Sequence, residues 1–160
     1  MDPQTITDIK NLTEQLLQHL GVTGEVTVEV DESAVVQVTI NSAETDSDED
    51  SDTHGILIGY HGETLRALQL VLSLMINQDR EEWVQLIVDV DGYRHRRDEQ
   101  LISLANRMAE KVMYLKEPIA LNPMPAIDRR IIHMALADND QVISESSGQG
   151  RDRKIVISPK

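Results

Sequence analysis

The stretch Gly55-Ile56-Leu57-Ile58-Gly59-Tyr60-His61-Gly62, running directly into Glu63 to Asn77, decides how the rest of the chain is read. Two glycines flank two free positions and open onto a helical run. Such a loop turns backbone N–H groups and the positive end of a helix dipole toward an anion. Phosphate fits that description, which makes the loop a candidate nucleic-acid clamp. An ordinary turn leaves the same Gly-x-x-Gly spacing, so its meaning depends on what surrounds it.

Upstream, Ile9, Leu12, Leu16 and Leu20 recur at helical spacing between Thr5 and Leu20, and Gly21 stands where a helix C-cap belongs. His19 near that end is placed to meet the helix carbonyls. Val26, Val28 and Val30 then alternate with polar residues, as do Val36, Val38 and Ile40, around an Asp31-Glu32-Ser33 turn. This predicts a two-stranded hairpin. The stretch 44–52 carries six acids and no apolar residue, which predicts a solvated acidic loop. Its Asp46, Asp48 and Asp50 have the spacing of a calcium loop. Ser51 stands where that loop needs glycine and Leu57 where it needs glutamate, so no metal site is expected.

Downstream, Leu65, Leu68, Leu72 and Met75, widened by Val71, predict a helix face turned to the core. Val84, Leu86, Val88 and Val90 alternate as a further strand. A long helix is expected from Arg94 to Leu115, through Leu101, Leu104, Met108 and Val112. Arg94, Arg96 and Arg97 read as its solvated start, and Trp83 and Tyr114 as packing residues. Pro125 suits the first turn of a following helix. On that helix Ile127, Ile131, Ile132, Ala135 and Leu136 cover one arc and Arg129, Arg130 and His133 the other. Val142 to Ser144 and Lys154 to Ile157 read as two strands joined by a glycine-containing turn.

The chain has 160 residues, a net charge of −13, 40% hydrophobic residues and no cysteine. That suits a folded protein and excludes disulfides, thiolate catalysis and cysteine-type zinc sites. No segment reaches the roughly 18 apolar residues of a membrane span, and the N-terminal residues lack the pattern of a signal peptide, so a cytoplasmic protein without membrane insertion is expected. The acidity opposes nucleic-acid binding, but it is unevenly spread. Residues 1–93 hold three Lys and Arg against 19 acids, a net charge of −16, and residues 94–160 hold 12 against nine, a net charge of +3. Two units with different electrostatic roles are expected, 1–93 and 94–160.

Arg129 and His133 lie four apart and emerge side by side; the plain alternative is a solvated polar face. A guanidinium offers a forked pair of donors to phosphate, and an imidazole a further donor or a stacking plane. Histidines and acids are many, yet no metal-binding, nucleophile-elbow or Walker pattern organises them, so neither catalysis nor a cofactor is expected.

The order helix, strand, strand, helical turn, Gly-x-x-Gly, helix, strand resembles the type II K-homology (KH) domain. The run Pro123-Met124 to Arg129-Arg130-Ile131-Ile132-His133, with Ser144-x-Ser146-x-Gly148 and Arg153-Lys154-Ile155-Val156-Ile157, resembles the R-three-H domain. In this order the pair resembles the bacterial Jag family of SpoIIIJ-associated, KhpB-like RNA-binding proteins, over roughly residues 5 to 159. The resemblance implies an α+β fold, a type II KH domain followed by a small α/β R-three-H domain. It implies a short form without the N-terminal Jag domain. It also implies non-catalytic binding of single-stranded RNA, with a post-transcriptional or RNA-chaperone role linked to envelope or division control. Single-stranded DNA as a second ligand and a small KH protein as a partner are left open.

The binding residues it implies are Gly59, Tyr60, His61 and Gly62 in the clamp, and Arg129, Arg130, His133, Ser144, Ser146, Arg151, Arg153 and Lys154 in the second unit. One departure weakens the clamp. At its two central positions the family usually carries a basic residue, whereas Tyr60 and His61 supply a stacking face and a titratable charge but no permanent cation. Weak, pH-dependent phosphate affinity is therefore expected there. The competing reading is an adaptor whose acidic KH half no longer binds RNA and contacts a protein instead.

Overall fold

The structure, a computed structural model, describes residues 2–41 and 55–160, and it divides into two compact units, Met1–Arg94 and His95–Lys160. The expected acidic loop 44–52 lies outside the described residues, as do the calcium-like aspartates and His54.

In the first unit, helix α1 (Pro3–His19) is capped by Asp2, whose side chain accepts from Gln4 N, with Pro3 in the first turn. It ends at Gly21, whose φ of 70° is the left-handed value that glycine meets without strain. His19 Nδ1 lies 2.6 Å from the Gln15 carbonyl. Strands β1 (Glu25–Val30) and β2 (Val36–Asn41) pair antiparallel with Val28 opposite Val38. Asp31 Oδ1 closes their turn by accepting from Ser33 N and Val35 N.

Strand β3 (Leu86–Val90) pairs with β2 in parallel, Val38 opposite Val88, giving a sheet of order β1-β2-β3. A parallel pair needs a crossover. That crossover holds the helical turn α2 (55–58), a 3-10 turn at Tyr60–Gly62 and helix α3 (Glu63–Asn77). Because α3 returns from the end of β2 to the start of β3, its N-terminus sits at the end of the sheet where both strands finish. The Gly-x-x-Gly loop and the residues just after β3 therefore meet.

Val36, Val38, Ile40, Leu86, Val88 and Val90 are buried under Ile9, Leu17, Leu65, Leu68 and Leu72. At about 1.5–3 kcal/mol per fully buried aliphatic side chain, this layer drives the unit's folding. Two corrections concern α3 and its exit. Its buried face ends on Ile76 rather than Met75, since the row advances by four after Leu68, and Val71 and Met75 are each 44% exposed. Strand β3 starts at Leu86, because the Val84 backbone is held instead by the Asn77 amide, at 2.7 and 3.0 Å. Trp83 beside it is 67% exposed and packs into no core.

The division between units falls in the first turn of helix α4 (Tyr93–Leu115). Arg94 stays with the first unit: its Nε donates to Val88 O, its Nη2 to Gln69 Oε1, and its N–H to Asp89 Oδ1. In the second unit α4 buries Leu101, Ala105, Ala109 and Val112, with Leu104 and Met108 half-buried beside them. Tyr114, expected to pack, is 86% exposed.

A short strand β4 (Ile119–Ala120), unmarked in the sequence, joins β5 (Val142–Ser147) and β6 (Lys154–Pro159) in an antiparallel sheet of order β4-β6-β5. Helix α5 (Ala126–Ala135) packs on it through Ile132, with Leu136 just beyond. Pro125 is its N-cap rather than part of its first turn. The chain is thus α+β, a three-stranded unit with a parallel crossover followed by a smaller antiparallel one.

Candidate nucleic-acid interface

Two candidate surfaces result, one in each unit. In the first, Gly59 adopts φ 67°, ψ −174°, a region essentially reserved for glycine, and Gly62 adopts φ 73°, ψ 20°. Both glycines are also required by their neighbours. A Cβ on Gly59 would lie 2.8 Å from Thr64 Cβ, and one on Gly62 would lie 2.9 Å from Tyr93 Cε1. His61 itself holds a left-handed φ of 50°.

The loop is less open to an anion than its sequence implies. Gly59 N donates to Gly55 O, Gly62 N to Gly59 O, and Glu63 N to Tyr60 O, so three of its N–H groups have internal acceptors. Tyr60 is 69% exposed, its ring tilted 50° against the His61 ring at 4.1 Å.

The expectation that no permanent cation stands at this loop needs correcting. Arg66 lies one turn into α3, and its Nη1 is 3.5 Å from where a Gly62 Cβ would sit. The signal was in the sequence: i and i+4 share a helix face.

In the second unit the geometry is tighter. Residues 129 and 133 are one helical step apart, about 6 Å along α5, and residues 144 and 146 are about 6.8 Å apart on one face of β5. The two repeats match. His133 Nδ1 lies 2.8 Å from Ser144 Oγ, and Arg129 Nη1 donates to Ser146 Oγ at 3.0 Å. Arg129 Nε also donates to Met124 O at 3.2 Å, and Met124 N in turn donates to Arg153 O at 3.2 Å. Lys154 stands opposite Ser147 in the β5–β6 register, and Arg151 lies in the 3-10 turn Gly150–Asp152 that joins those strands.

Arg129, His133, Ser144, Ser146 and Arg153 thus lie along one helix-and-hairpin face, whereas Lys154, opposite Ser147 and out of step with the buried Ile155 and Ile157, stands on the other face of the sheet. Arg130 is also set apart. With Ile127, Met134, Ile102 and Asp98 it lines an apolar cleft around the other side of α5, where Ile127 is 50% exposed and Met134 62%. The expected wheel is corrected accordingly: Asp128, not Ile127, joins Ile132 on the buried face. Its charge is met by Arg97, which is therefore no solvated residue.

Among the described residues no cluster of His, Cys, Asp and Glu could hold a metal ion, and no helix is long and apolar enough to cross a membrane.

Residues 8–88 match the family described as the KhpA/KhpB KH domain, and residues 99–159 match the R-three-H domain. The chain belongs to the KhpB (Jag) family. It is 40% identical over 109 residues to RNA-binding protein KhpB of Clostridium symbiosum, covering 68% of this chain and 49% of that protein. To RNA-binding protein KhpB of Bacillus subtilis (strain 168) it is 39% identical over 107 residues, 66% of this chain and 51% of that one. For the Lactiplantibacillus plantarum KhpB the figures are 37% over 109 residues, 68% and 34%. The chain spans about half the length, or less, of these relatives.

Proposed function

We propose that the chain is a non-catalytic single-stranded RNA-binding protein whose principal contact surface is the α5–β5 face of its second unit. One observation carries this: Arg129 and His133 are held side by side by Ser146 and Ser144, so their remaining donors are preorganised. Residues 94–160, with a net charge of +3, bring Arg151, Arg153 and Lys154 to the same hairpin. The relatives bear the name RNA-binding protein.

Phosphates are met by the guanidinium and the hairpin cations, and the imidazole donates to or stacks on a base. Gly59, Tyr60, His61 and Gly62 add a weaker second contact, with Tyr60 as the stacking ring. Arg130, set apart on α5, contributes less. The family resemblance extends the role to post-transcriptional or RNA-chaperone action in envelope or division control, in the cytoplasm.

Fluorescence anisotropy with a short labelled single-stranded RNA tests the reading. Binding should weaken as salt rises, and the Arg129→Ala/His133→Ala variant should lose most of it. Undiminished binding by that variant would falsify the assignment. A matching single-stranded DNA in the same titration shows whether the ligand class is wider.

A second reading is favoured by a separate observation. Leu70, Val71, Leu74 and Met75 form an exposed apolar row on α3, from 44% to 60% exposed. Such a row suits a protein partner, a small KH protein above all, and it is where an adaptor role would reside.

A further inference from the structure

We propose that Arg66, whose guanidinium stands beside Gly62, is the phosphate-binding cation of the first unit's Gly-x-x-Gly loop. The inference rests on the RNA-binding reading and concerns how an acidic domain meets a polyanion.

Residues 1–93 contain three Lys and Arg. Lys10 stands 3.8 Å from Glu14 on the same helix. Arg80 is engaged in structure: its Nε donates to Ile76 O at 2.9 Å and its Nη1 to Thr5 Oγ1 at 3.1 Å. Arg66 is the remaining one, and it stands at the loop. Tyr93 Oη would be 3.3 Å, and Arg66 Nη1 3.5 Å, from a Cβ on Gly62, so the absent side chain leaves the space that both occupy.

Tyr93 comes from beyond β3 and packs partly on the core, and both it and the half-exposed Arg66 guanidinium approach Gly62. The parallel β2–β3 crossover brings Tyr93 to the start of α3. A guanidinium at this place aims forked donors at whatever anion the loop meets, and unlike an imidazole it stays charged at every physiological pH. Where backbone N–H groups already have internal acceptors, a side-chain cation supplies the attraction they lack.

The test is anisotropy on the full chain with a short fluorescein-labelled single-stranded RNA of mixed sequence, titrated at several salt concentrations. Wild type, Arg66→Gln and Arg66→Lys are compared, with thermal melts alongside. Loss of one charged hydrogen-bonding contact should weaken Arg66→Gln about tenfold. The log–log salt slope should become shallower by about 0.7, the value of one phosphate on a single strand. Arg66→Lys should restore the slope, and the melting temperature should not move. Unchanged affinity and slope in Arg66→Gln overturn the proposal, as does weaker binding with an unchanged slope. Failure of the wild-type chain to bind the RNA would instead remove the RNA-binding reading itself.

Discussion

Arg97 on α4 holds Asp128 on α5, its Nη2 at 2.7 Å and its Nε at 3.1 Å from the same carboxylate oxygen, with the Asp128 side chain only 3% exposed. Breaking a buried pair from one side leaves a charge without its counter-charge, and this costs far more than the pair is worth intact. Asp128→Ala should therefore destabilise the second unit by about 3 kcal/mol, read by urea unfolding. Arg97→Met/Asp128→Leu should regain most of that loss, because a buried pair and a packed apolar pair are close in energy. A single variant as stable as wild type would refute the account.

That pair also shows where the sequence stops being readable. Strand alternation and helical spacing disclosed the α+β order, because burial on one face imposes periods of 2 and 3.6 on the apolar residues. Asp128 breaks the apolar row of α5, and its neutralising partner lies 31 residues earlier on another helix. Helical spacing on α5 alone could not place it. Trp83 and Tyr114 read as packing residues because aromatics are usually buried, yet they stand 67% and 86% exposed. Arg66 was a different kind of miss. Its guanidinium comes to Gly62 from one turn further along α3, where the i, i+4 repeat places residue 66 on the same face, and not from the two central loop positions. The serine supports of Arg129 and His133 were visible as residues, but their pairing required the strand and helix repeats to be laid against each other.

The two loop glycines should differ in their tolerance of a side chain. Gly59 lies at φ 67°, ψ −174°, which alanine reaches only with strain, and its Cβ would come within 2.8 Å of Thr64 Cβ. Gly62 lies in the left-handed helical region, which alanine can adopt at smaller cost, though it would push on Tyr93. Gly59→Ala should cost about 2–3 kcal/mol and Gly62→Ala about 1–2 kcal/mol in urea unfolding. The reverse order would mean that the Tyr93 contact is the stiffer constraint.

Ser144 and Ser146 should matter for binding more than for folding. Each hydroxyl fixes one side chain of the Arg129–His133 pair, and a single hydrogen bond contributes about 1 kcal/mol to stability. In Ser144→Ala/Ser146→Ala the arginine and imidazole remain but lose their fixed geometry. RNA affinity should fall about tenfold, while the salt slope stays at the wild-type value because no charge is removed. A shallower slope in this double variant would show that Arg129, released from Ser146, no longer meets its phosphate.

The exposed row on α3 allows protein contact to be separated from RNA contact. Leu70 and Leu74 are 60% and 55% exposed, so a charge at either position meets water in the isolated chain and changes stability by no more than about 0.5 kcal/mol. In an apolar interface the same charge would be desolvated without a partner, which association cannot tolerate. Leu70→Glu/Leu74→Glu should therefore abolish co-elution with a small KH protein in size-exclusion chromatography with light scattering. RNA binding through Arg129 and His133 should be unchanged. Retained co-elution would place the partner elsewhere on the chain, and a wild-type chain that elutes as a dimer by itself would identify a second copy as the occupant of the row. Loss of RNA affinity in the same variant would mean that the α3 face and the RNA surface are not independent.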